Sequence, residues 1–470
     1  MPGCRSHQQV PQATVIESCT LPSLPRYVDP ATPTPLPLGP NSATSVIDDS
    51  GLEIRRSILP GGVRLITEAI PGALSASLGM WVAVGSRDEG PGEGGISHFL
   101  EHLLFKGTHV RSSFDIAEAF DAVGAESNAA TTKEATYYWA HMVADDLPAL
   151  LPVLTDMVTD SVISDHDVEV ERGVILDELA MGEDSPPDVV GEAFARAIYG
   201  GSQLGRPIGG TRQSVEAMDP GKIRDLYHRK YGTDDLIVSV AGAVDHDELA
   251  DRLQAALAGS PWSEQLATNN LPRRRTPSKP GPAASTDHER HLVLKRDIEQ
   301  AHVIVGGPWL AALDPAGPAS GVALNLLGGG MSSRLFQEIR EKRGLAYSTY
   351  AFSSAYSDSG SFAMYAGFAP RNLSEVQKVM WGELEKLADK GPSEKELSRS
   401  KGQIRGGVTL NLEDTGSRMS RLARAELVGE LTSVSDALAR IDAVHGEDVQ
   451  AVARLMLETN SASAIVSSND

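Results

Sequence analysis

The stretch Gly95-Ile-Ser-His98-Phe-Leu-Glu101-His102-Leu-Leu-Phe-Lys-Gly107 is the most informative part of the sequence. Residues four apart on a helix lie on one face, so His98 and His102 can direct two imidazoles at a single ion, and Glu101 shares that face. We expect a helix here, with Ser97 as its N-cap and a stop at Gly107. The spacing indicates a metal site, and a chance match of three positions is the alternative.

A later acidic segment offers a third ligand. A catalytic zinc site has three protein ligands and keeps one position open, so two histidines need a partner. Residues 167–184 have a strongly helical and acidic pattern, and Glu171 and Glu178 lie almost two turns apart on one face. Both cysteines, Cys4 and Cys19, lie near the N-terminus, so we expect histidine and carboxylate ligands to hold any metal.

The chain of 470 residues exceeds one ordinary core, which stops growing at roughly 250 to 300 residues. We expect a disordered Pro-rich tail at 1–50, a metal-binding domain at 51–259, a Pro/Arg-rich linker at 260–289 and a second, similar domain at 290–470. The pattern of the two long segments indicates that they repeat one order of elements. The predicted fold class is α+β: two similar domains, each a mostly antiparallel sheet packed with helices, facing each other across a cleft.

Local patterns support this order of elements. Residues 114–123 and 145–161 have a helical pattern, and residues 134–143 have the β-branched and aromatic content of a strand. In the second half, we expect helices at 331–343 and 372–389 and strands at 346–355 and 361–367.

Charge and hydropathy exclude several classes of function. The net charge of −21 argues against nucleic acid as a partner, because phosphate binding requires clustered Lys and Arg. No segment reaches the apolar length of about 20 residues that a membrane span requires. The N-terminus has neither the apolar core of a secretory signal nor the Arg-rich composition of a transit peptide, so we expect a cytoplasmic location.

The two metal-binding segments together resemble a known family. His98-x-x-Glu101-His102, followed by Glu178 within Glu171-Arg-Gly-Val-Ile-Leu-Asp-Glu178, is similar to the inverzincin zinc metallopeptidases, which include pitrilysin, insulin-degrading enzyme and the β subunit of the mitochondrial processing peptidase. Further similar stretches lie at 127–134, 204–211 and 333–348. The resemblance covers most of residues 55–467.

The resemblance implies a zinc-dependent endopeptidase of the short, two-domain form. It implies that His98, His102 and Glu178 bind Zn²⁺ and that Glu101 is the general base for attack by a zinc-bound water. It also implies a supporting role for the Glu171 carboxylate, for which a solvated helix face is the alternative. Histidine and carboxylate ligands accept manganese and cobalt as well, so the sequence alone does not fix the metal.

The resemblance further implies how a peptide is held. Asn128 and Ala129 would lie on an edge strand that pairs with the peptide backbone. Arg340 and Tyr347 would reach across the cleft from the second domain, where the tyrosine hydroxyl can stabilise an oxyanion. Without the resemblance, Asn128 is a turn residue, Arg340 a surface helix residue and Tyr347 a strand residue in the core.

The second half has no His-x-x-Glu-His, so we expect one zinc site per chain and a second domain that holds substrate. The expected substrates are peptides or unfolded proteins. The two-domain form is about half of a pitrilysin-type enzyme, so a homodimer or a heterodimer with a related chain is expected. Two alternatives stay open: a non-catalytic scaffold or assembly subunit of the same fold, and a processing peptidase of narrow specificity.

Overall fold

The computed structural model describes residues 30, 33–40, 42–47, 51–275 and 288–468. Its strands are β1 (Thr34–Pro35), β2 (Ala43–Ile47), β3 (Glu53–Ile58), β4 (Arg64–Ala69), β5 (Ser75–Val82), β6 (Glu126–Thr131), β7 (Thr136–Val143), β8 (Leu236–Gly242), β9 (His291–Lys295), β10 (Ala301–Trp309), β11 (Ala346–Ala355), β12 (Gly360–Phe368), β13 (Glu430–Leu431) and β14 (Ala462–Ser467).

The α-helices are α1 (Ile96–Leu103), α2 (Ser113–Asp121), α3 (Leu147–Thr159), α4 (Asp165–Glu183), α5 (Pro186–Tyr199), α6 (Arg212–Glu216), α7 (Pro220–Lys230), α8 (His246–Ala258), α9 (Ser263–Leu266), α10 (Gly317–Gly328), α11 (Leu373–Lys390), α12 (Glu394–Asn411), α13 (Thr415–Val428), α14 (Val434–Asp442) and α15 (Gly446–Glu458). A π-helix covers Phe336–Glu341. None of the helices in the described part of the chain combines the length and apolar character needed to cross a membrane.

Two larger sheets organise the two halves. The first has seven strands in the order β2-β3-β4-β8-β5-β7-β6, in which β4 and β8 are parallel and the other neighbours antiparallel. The second has five strands in the order β11-β12-β10-β14-β9, in which β14 and β9 are parallel. Helices α3 and α8 pack on the first sheet, and α10, α11 and α15 pack with the second. This confirms the predicted α+β class with two similar, mostly antiparallel domains.

Each half also packs one of its helices on the sheet of the other half. Helix α5, from the first half, packs on β10 and β14 of the second sheet, where Phe194 and Ile198 join Ile304 in one buried cluster. Helix α13, from the second half, packs on β4, β5 and β8 of the first sheet. Gly79 of β5 permits this close approach, because a Cβ there would lie 2.4 Å from the Met419 sulfur. The exchange joins the two halves by apolar contacts that the sequence pattern did not reveal.

The elements predicted from local patterns are confirmed in the first half as α2, α3, α4 and β7, and in the second as α11, β11 and β12. The helix predicted at 331–343 is shorter: it begins at Arg334, and its C-terminal part is the π-helix. The predicted domain boundaries stay a prediction. Residues 276–287 of the predicted linker, together with Cys4 and Cys19, lie outside the described residues.

The expectation of a disordered tail over residues 1–50 is wrong for part of its length. Strand β2 pairs with β3 at the edge of the first sheet, and β1 pairs with β13 of the second half. Pro35 is tolerated because β1 is a short edge strand. Between the two strands, Leu36 is almost fully buried in the same cluster as α13, and its N–H donates to the Gly429 carbonyl at 2.9 Å. Tertiary burial therefore orders a segment whose composition suggested disorder.

A buried ion pair between Arg56 on β3 and Glu426 on α13 predicts a large effect on stability. Both side chains are at most 1% exposed, and Arg274 also pairs with Glu426. Glu426→Ala leaves the Arg56 charge buried without its carboxylate, so we expect the free energy of unfolding to fall by about 3–5 kcal/mol in urea titrations. The matched control is Arg405→Ala, which removes a half-exposed pair with Asp442 and should cost at most about 1 kcal/mol. Equal losses from the two variants would contradict this account.

Candidate metal centre

Helix α1 presents its polar residues on one face because the opposite face is anchored in the core. Ile96, Phe99, Leu100 and Leu103 are fully buried in the first hydrophobic cluster. His98, Glu101 and His102 are partly exposed on the other face. Burial of the apolar stripe therefore fixes which way the two imidazoles point.

The N-terminus of α1 is capped differently from the sequence prediction. Ser97 lies inside the helix, and Gly95 takes the N-cap position with a φ of 89°. The Glu89 carboxylate accepts hydrogen bonds from Gly95 N at 3.1 Å and Ser97 N at 3.0 Å, which satisfies two free backbone donors of the helix. Burial raises the pKa of Glu89 to about 7, against the opposing effect of these bonds. A Cβ at position 95 would lie 2.5 Å from the Gly209 carbonyl, so glycine is required there.

Three candidate ligands converge between α1 and α4. His98 Nε2 lies 3.6 Å from Glu178 Oε1, and His102 Nε2 lies 3.4 Å from Glu178 Oε2. One ligand atom from each of the three residues can be chosen so that all lie within 4.8 Å of one another. The two imidazole rings meet edge to face, with their centroids 4.7 Å apart. The structure thus brings together the three residues that the sequence predicted.

The buried carboxylate of Glu171 orients His102. Its Oε2 lies 3.0 Å from His102 Nδ1, and its Oε1 lies 2.5 Å from Lys106 Nζ. Glu171 is only 2% exposed, which excludes the alternative of a solvated helix face. A proton on Nδ1 that is donated to Glu171 leaves the Nε2 lone pair of His102 directed at Glu178 and His98.

The surroundings of His98 favour the neutral imidazole, the form that can bind a metal. Burial lowers the pKa of His98 below its usual value, and the neighbouring His102 lowers it further. Only a neutral imidazole has a lone pair for a metal, so this environment favours the binding form.

The spacing of the three residues fits a zinc ion. Ligand atoms at about 2.0–2.2 Å from a tetrahedral zinc lie roughly 3.3–3.6 Å apart. Each imidazole Nε2 lies in this range from one of the two Glu178 carboxylate oxygens, 3.6 Å for His98 and 3.4 Å for His102. Two imidazole nitrogens and one carboxylate oxygen form a donor set that leaves one position open. The residues present therefore fit the predicted metal.

Glu101 has a partner that the sequence did not indicate. Thr131 Oγ1, at the end of β6, donates to Glu101 Oε2 at 2.6 Å. Thr131 belongs to one of the stretches similar to the peptidase family, but a contact between residues 30 apart in sequence leaves no local signal. The bond holds the Glu101 side chain beside the candidate metal site.

Asn128 and Ala129 lie on β6, the edge strand of the first sheet, so Asn128 is not a turn residue. The Ala129 N–H donates to Asn128 Oδ1 at 2.8 Å rather than to β7. This amide therefore faces the open side of the strand, as pairing with a further strand requires.

Arg340 and Tyr347 lie together in the second half. The Arg340 guanidinium lies 4.8 Å from the Tyr347 ring centroid, and its Nη1 donates to the Tyr347 carbonyl at 3.1 Å. Tyr347 is 75% exposed, which excludes the alternative of a core residue. Within the described residues, neither side chain makes a hydrogen bond or ion pair with the three candidate ligands or Glu101.

An inverted His-x-x-Glu-His helix on a fold of two similar domains is typical of an inverzincin-type protein. Comparison with known protein families gives the same class. The family model described as Insulinase (Peptidase family M16) matches residues 64–212, and that of the Peptidase M16 inactive domain matches residues 217–404. The chain belongs to peptidase family M16.

Proteins similar over nearly the whole chain include two uncharacterized zinc proteases. The one from Streptomyces coelicolor is 47% identical over 86% of this chain and 87% of its own length. The one from Mycobacterium tuberculosis strain H37Rv is 42% identical over 89% of this chain and 94% of its own. Among solved structures, a protease from Helicobacter pylori has a TM-score of 0.78 at 21% identity, and covers 91% of this chain and 99% of its own. A peptidase M16 inactive domain from Pseudomonas fluorescens has a TM-score of 0.76 at 17% identity, over 89% and 98%.

The Glu171 contact predicts a defect in zinc affinity. Glu171→Gln removes the charge that holds the His102 ring, so we expect zinc to bind about 10–100-fold more weakly in competition with a chromogenic chelator. Glu118→Gln, on the exposed side of α2, is the control and should bind zinc as the wild type does. Equal affinities for Glu171→Gln and the control would show that the Glu171 contact does not support the metal.

Proposed function

We propose that this chain is a zinc-dependent endopeptidase that hydrolyses extended peptides. The observation that carries the proposal is the convergence of His98, His102 and Glu178 beside a separately held carboxylate, Glu101. A scaffold protein of this fold has no need for such an arrangement. The zinc proteases among its relatives give further support.

The metal would be held by His98, His102 and Glu178. When bound there, zinc lowers the pKa of water and polarises a peptide carbonyl. Glu171 stabilises the arrangement by accepting the hydrogen bond from His102 Nδ1, and Lys106 pairs with the other oxygen of Glu171.

Glu101 acts as the general base. Its Oε2 is occupied by the Thr131 hydroxyl, so Oε1 is the atom available to take a proton from the attacking water. The same oxygen then returns the proton to the amine that leaves. Because Thr131 fixes one oxygen, the other keeps a defined direction during the reaction.

The free edge of β6 binds the substrate. A carbonyl of an extended peptide replaces Asn128 Oδ1 as the acceptor for the Ala129 N–H, and the peptide backbone continues the sheet. Backbone pairing recognises conformation rather than sequence, so the proposed substrates are short or unfolded chains.

The second half contributes Arg340 and Tyr347 to the proposed active site. When the two halves close on a peptide, the Tyr347 side chain, which is exposed in this structure, donates its hydroxyl to the developing oxyanion, and Arg340 supports its ring. The proposed assembly is a dimer, either of two copies or with a related chain.

The proposal is tested with a quenched fluorescent peptide library and zinc analysis of the purified chain. Glu101→Gln should keep stoichiometric zinc and lower kcat/KM about 10²–10⁴-fold, because it removes the proton acceptor but no ligand. Glu118→Gln again serves as the control. Wild-type protein that holds zinc but cleaves nothing would refute the peptidase proposal and favour a scaffold, and a Glu101→Gln variant as fast as wild type would refute the role of Glu101. Cleavage confined to one or two sequences would favour a processing peptidase.

A further inference from the structure

A partly buried ion cluster joins four segments of the chain at the contact between the two halves. We name it the junction cluster and define it as Arg87, Glu134, Arg275, Ser357 and Asp358. Arg87 lies between β5 and α1, Glu134 in the turn between β6 and β7, and Ser357 and Asp358 in the turn between β11 and β12. Arg275 comes from the end of the described segment 51–275.

The contacts of the cluster cross from one half to the other. Arg87 forms a bidentate pair with Asp358, with Nη1 to Oδ1 at 3.0 Å and Nη2 to Oδ2 at 2.8 Å. Glu134 accepts from Ser357 N at 3.0 Å and from Ser357 Oγ at 2.7 Å, and it also pairs with Arg87. Arg275 lies 3.8 Å from Glu134. One donor residue of the first half, Arg87, and one acceptor residue, Glu134, thus share a single turn of the second half.

This environment strengthens the contacts relative to a surface ion pair. The Arg87, Glu134 and Asp358 side chains are only 17%, 20% and 22% exposed, so salt and water screen them less than an open pair. The bidentate geometry also fixes direction, because the guanidinium fork matches one carboxylate plane. The hydrogen bond from Arg87 holds the pKa of Asp358 below its usual range, so the pair stays charged at neutral pH.

The same loops lead directly to the candidate active site. Backbone bonds from Ser86 N to the Thr132 carbonyl, at 3.0 Å, and from Arg87 N to the Lys133 carbonyl, at 2.9 Å, tie the loop before α1 to the turn after β6. Thr131, which holds Glu101, directly precedes that turn. In the second half, the junction cluster follows the C-terminal end of β11, and Tyr347 lies near the N-terminal end of the same strand. At the usual rise per residue, the strand separates Tyr347 from the cluster by about 30 Å.

We propose that Arg87, Glu134 and Asp358 are positioning residues that set the angle of β11, and with it Tyr347, over α1 and the free edge of β6. The catalytic consequence rests on the peptidase function proposed above. The exchanged helices α5 and α13 keep the halves together by apolar contact, which is weakly directional. The junction cluster supplies the direction through the turn that directly follows β6.

Charge reversal at one contact tests this role. Arg87→Glu places three carboxylates together, Asp358→Arg places positive charges together, and the double variant restores opposite charges between positions 87 and 358. The matched control is the reversal of Arg405 and Asp442, an ion pair within the second half. Each protein is assayed for zinc content, for kcat and KM on a quenched peptide, and for the distance between spin labels on Glu118→Cys and Glu385→Cys in a Cys4→Ser/Cys19→Ser background.

We expect each single reversal to keep zinc, to broaden the distance between the labels, and to lower kcat about tenfold or more, since like charges in close contact repel strongly. The double variant should recover to within about threefold of wild type with a narrow distance, because the two changes compensate at one contact. The control reversals should change neither readout.

Single reversals that leave both the distance and kcat unchanged would overturn the proposal, and so would a double variant no better than the singles. Arg87→Lys, which keeps the charge but not the fork, serves if a reversal fails to fold, and it should broaden the distance less than the reversals do. The distance measurement needs no catalysis. A wild type without peptidase activity would therefore refute the proposed function while the labels still decide whether the cluster sets the angle.

Discussion

The hydrogen bond between His102 and the buried carboxylate of Glu171 joins two helices that are far apart in the chain, α1 and α4. A buried carboxylate is costly without partners, and Glu171 has two, His102 and Lys106, both on or next to α1. Once this contact is made, the helical repeat places Glu178, almost two turns further along α4, opposite the Nε2 atoms of both histidines. The candidate metal centre therefore depends on one helix-to-helix contact, and each of its features follows from how the two helices are held.

Both helices are also connected to the rest of the fold at their ends. Glu89 caps the start of α1, and α4 leads into α5, which packs on the second sheet. The helix that carries Glu178 is thus continuous in sequence with the main apolar contact between the halves. The second half therefore packs on the helix that directly follows α4. The junction cluster provides a separate contact with the second half, at the loops before α1 and after β6.

Local signals in the sequence were enough to predict the parts of this structure that have a regular residue period. The helical repeat of α3 and α4, the strand composition of β7 and the four-residue spacing of His98 and His102 are all properties of single segments, and the structure has them. What the sequence missed depends on contacts between distant segments. Ser97 was the best local capping residue, but the fold brings Glu89 to the backbone of α1 instead. Contacts between distant segments also explain three further features that the sequence did not predict. These are the Thr131 bond to Glu101, the packing of α5 and α13 on the opposite halves, and the burial of Leu36 in a Pro-rich stretch. The roles of Arg340 and Tyr347 still rest on the family resemblance, because the structure leaves them apart from the candidate ligands.

The proposed metal centre consists of two imidazoles and one carboxylate that bind a single zinc ion between α1 and α4. X-ray absorption spectroscopy at the zinc edge, on protein loaded with one equivalent of zinc, identifies these ligands. We expect only nitrogen and oxygen neighbours at about 2.0–2.2 Å, with the outer-shell signal of two imidazoles, and a fall to one imidazole in His98→Ala. A sulfur shell at about 2.3 Å, or a spectrum that His98→Ala leaves unchanged, would contradict it.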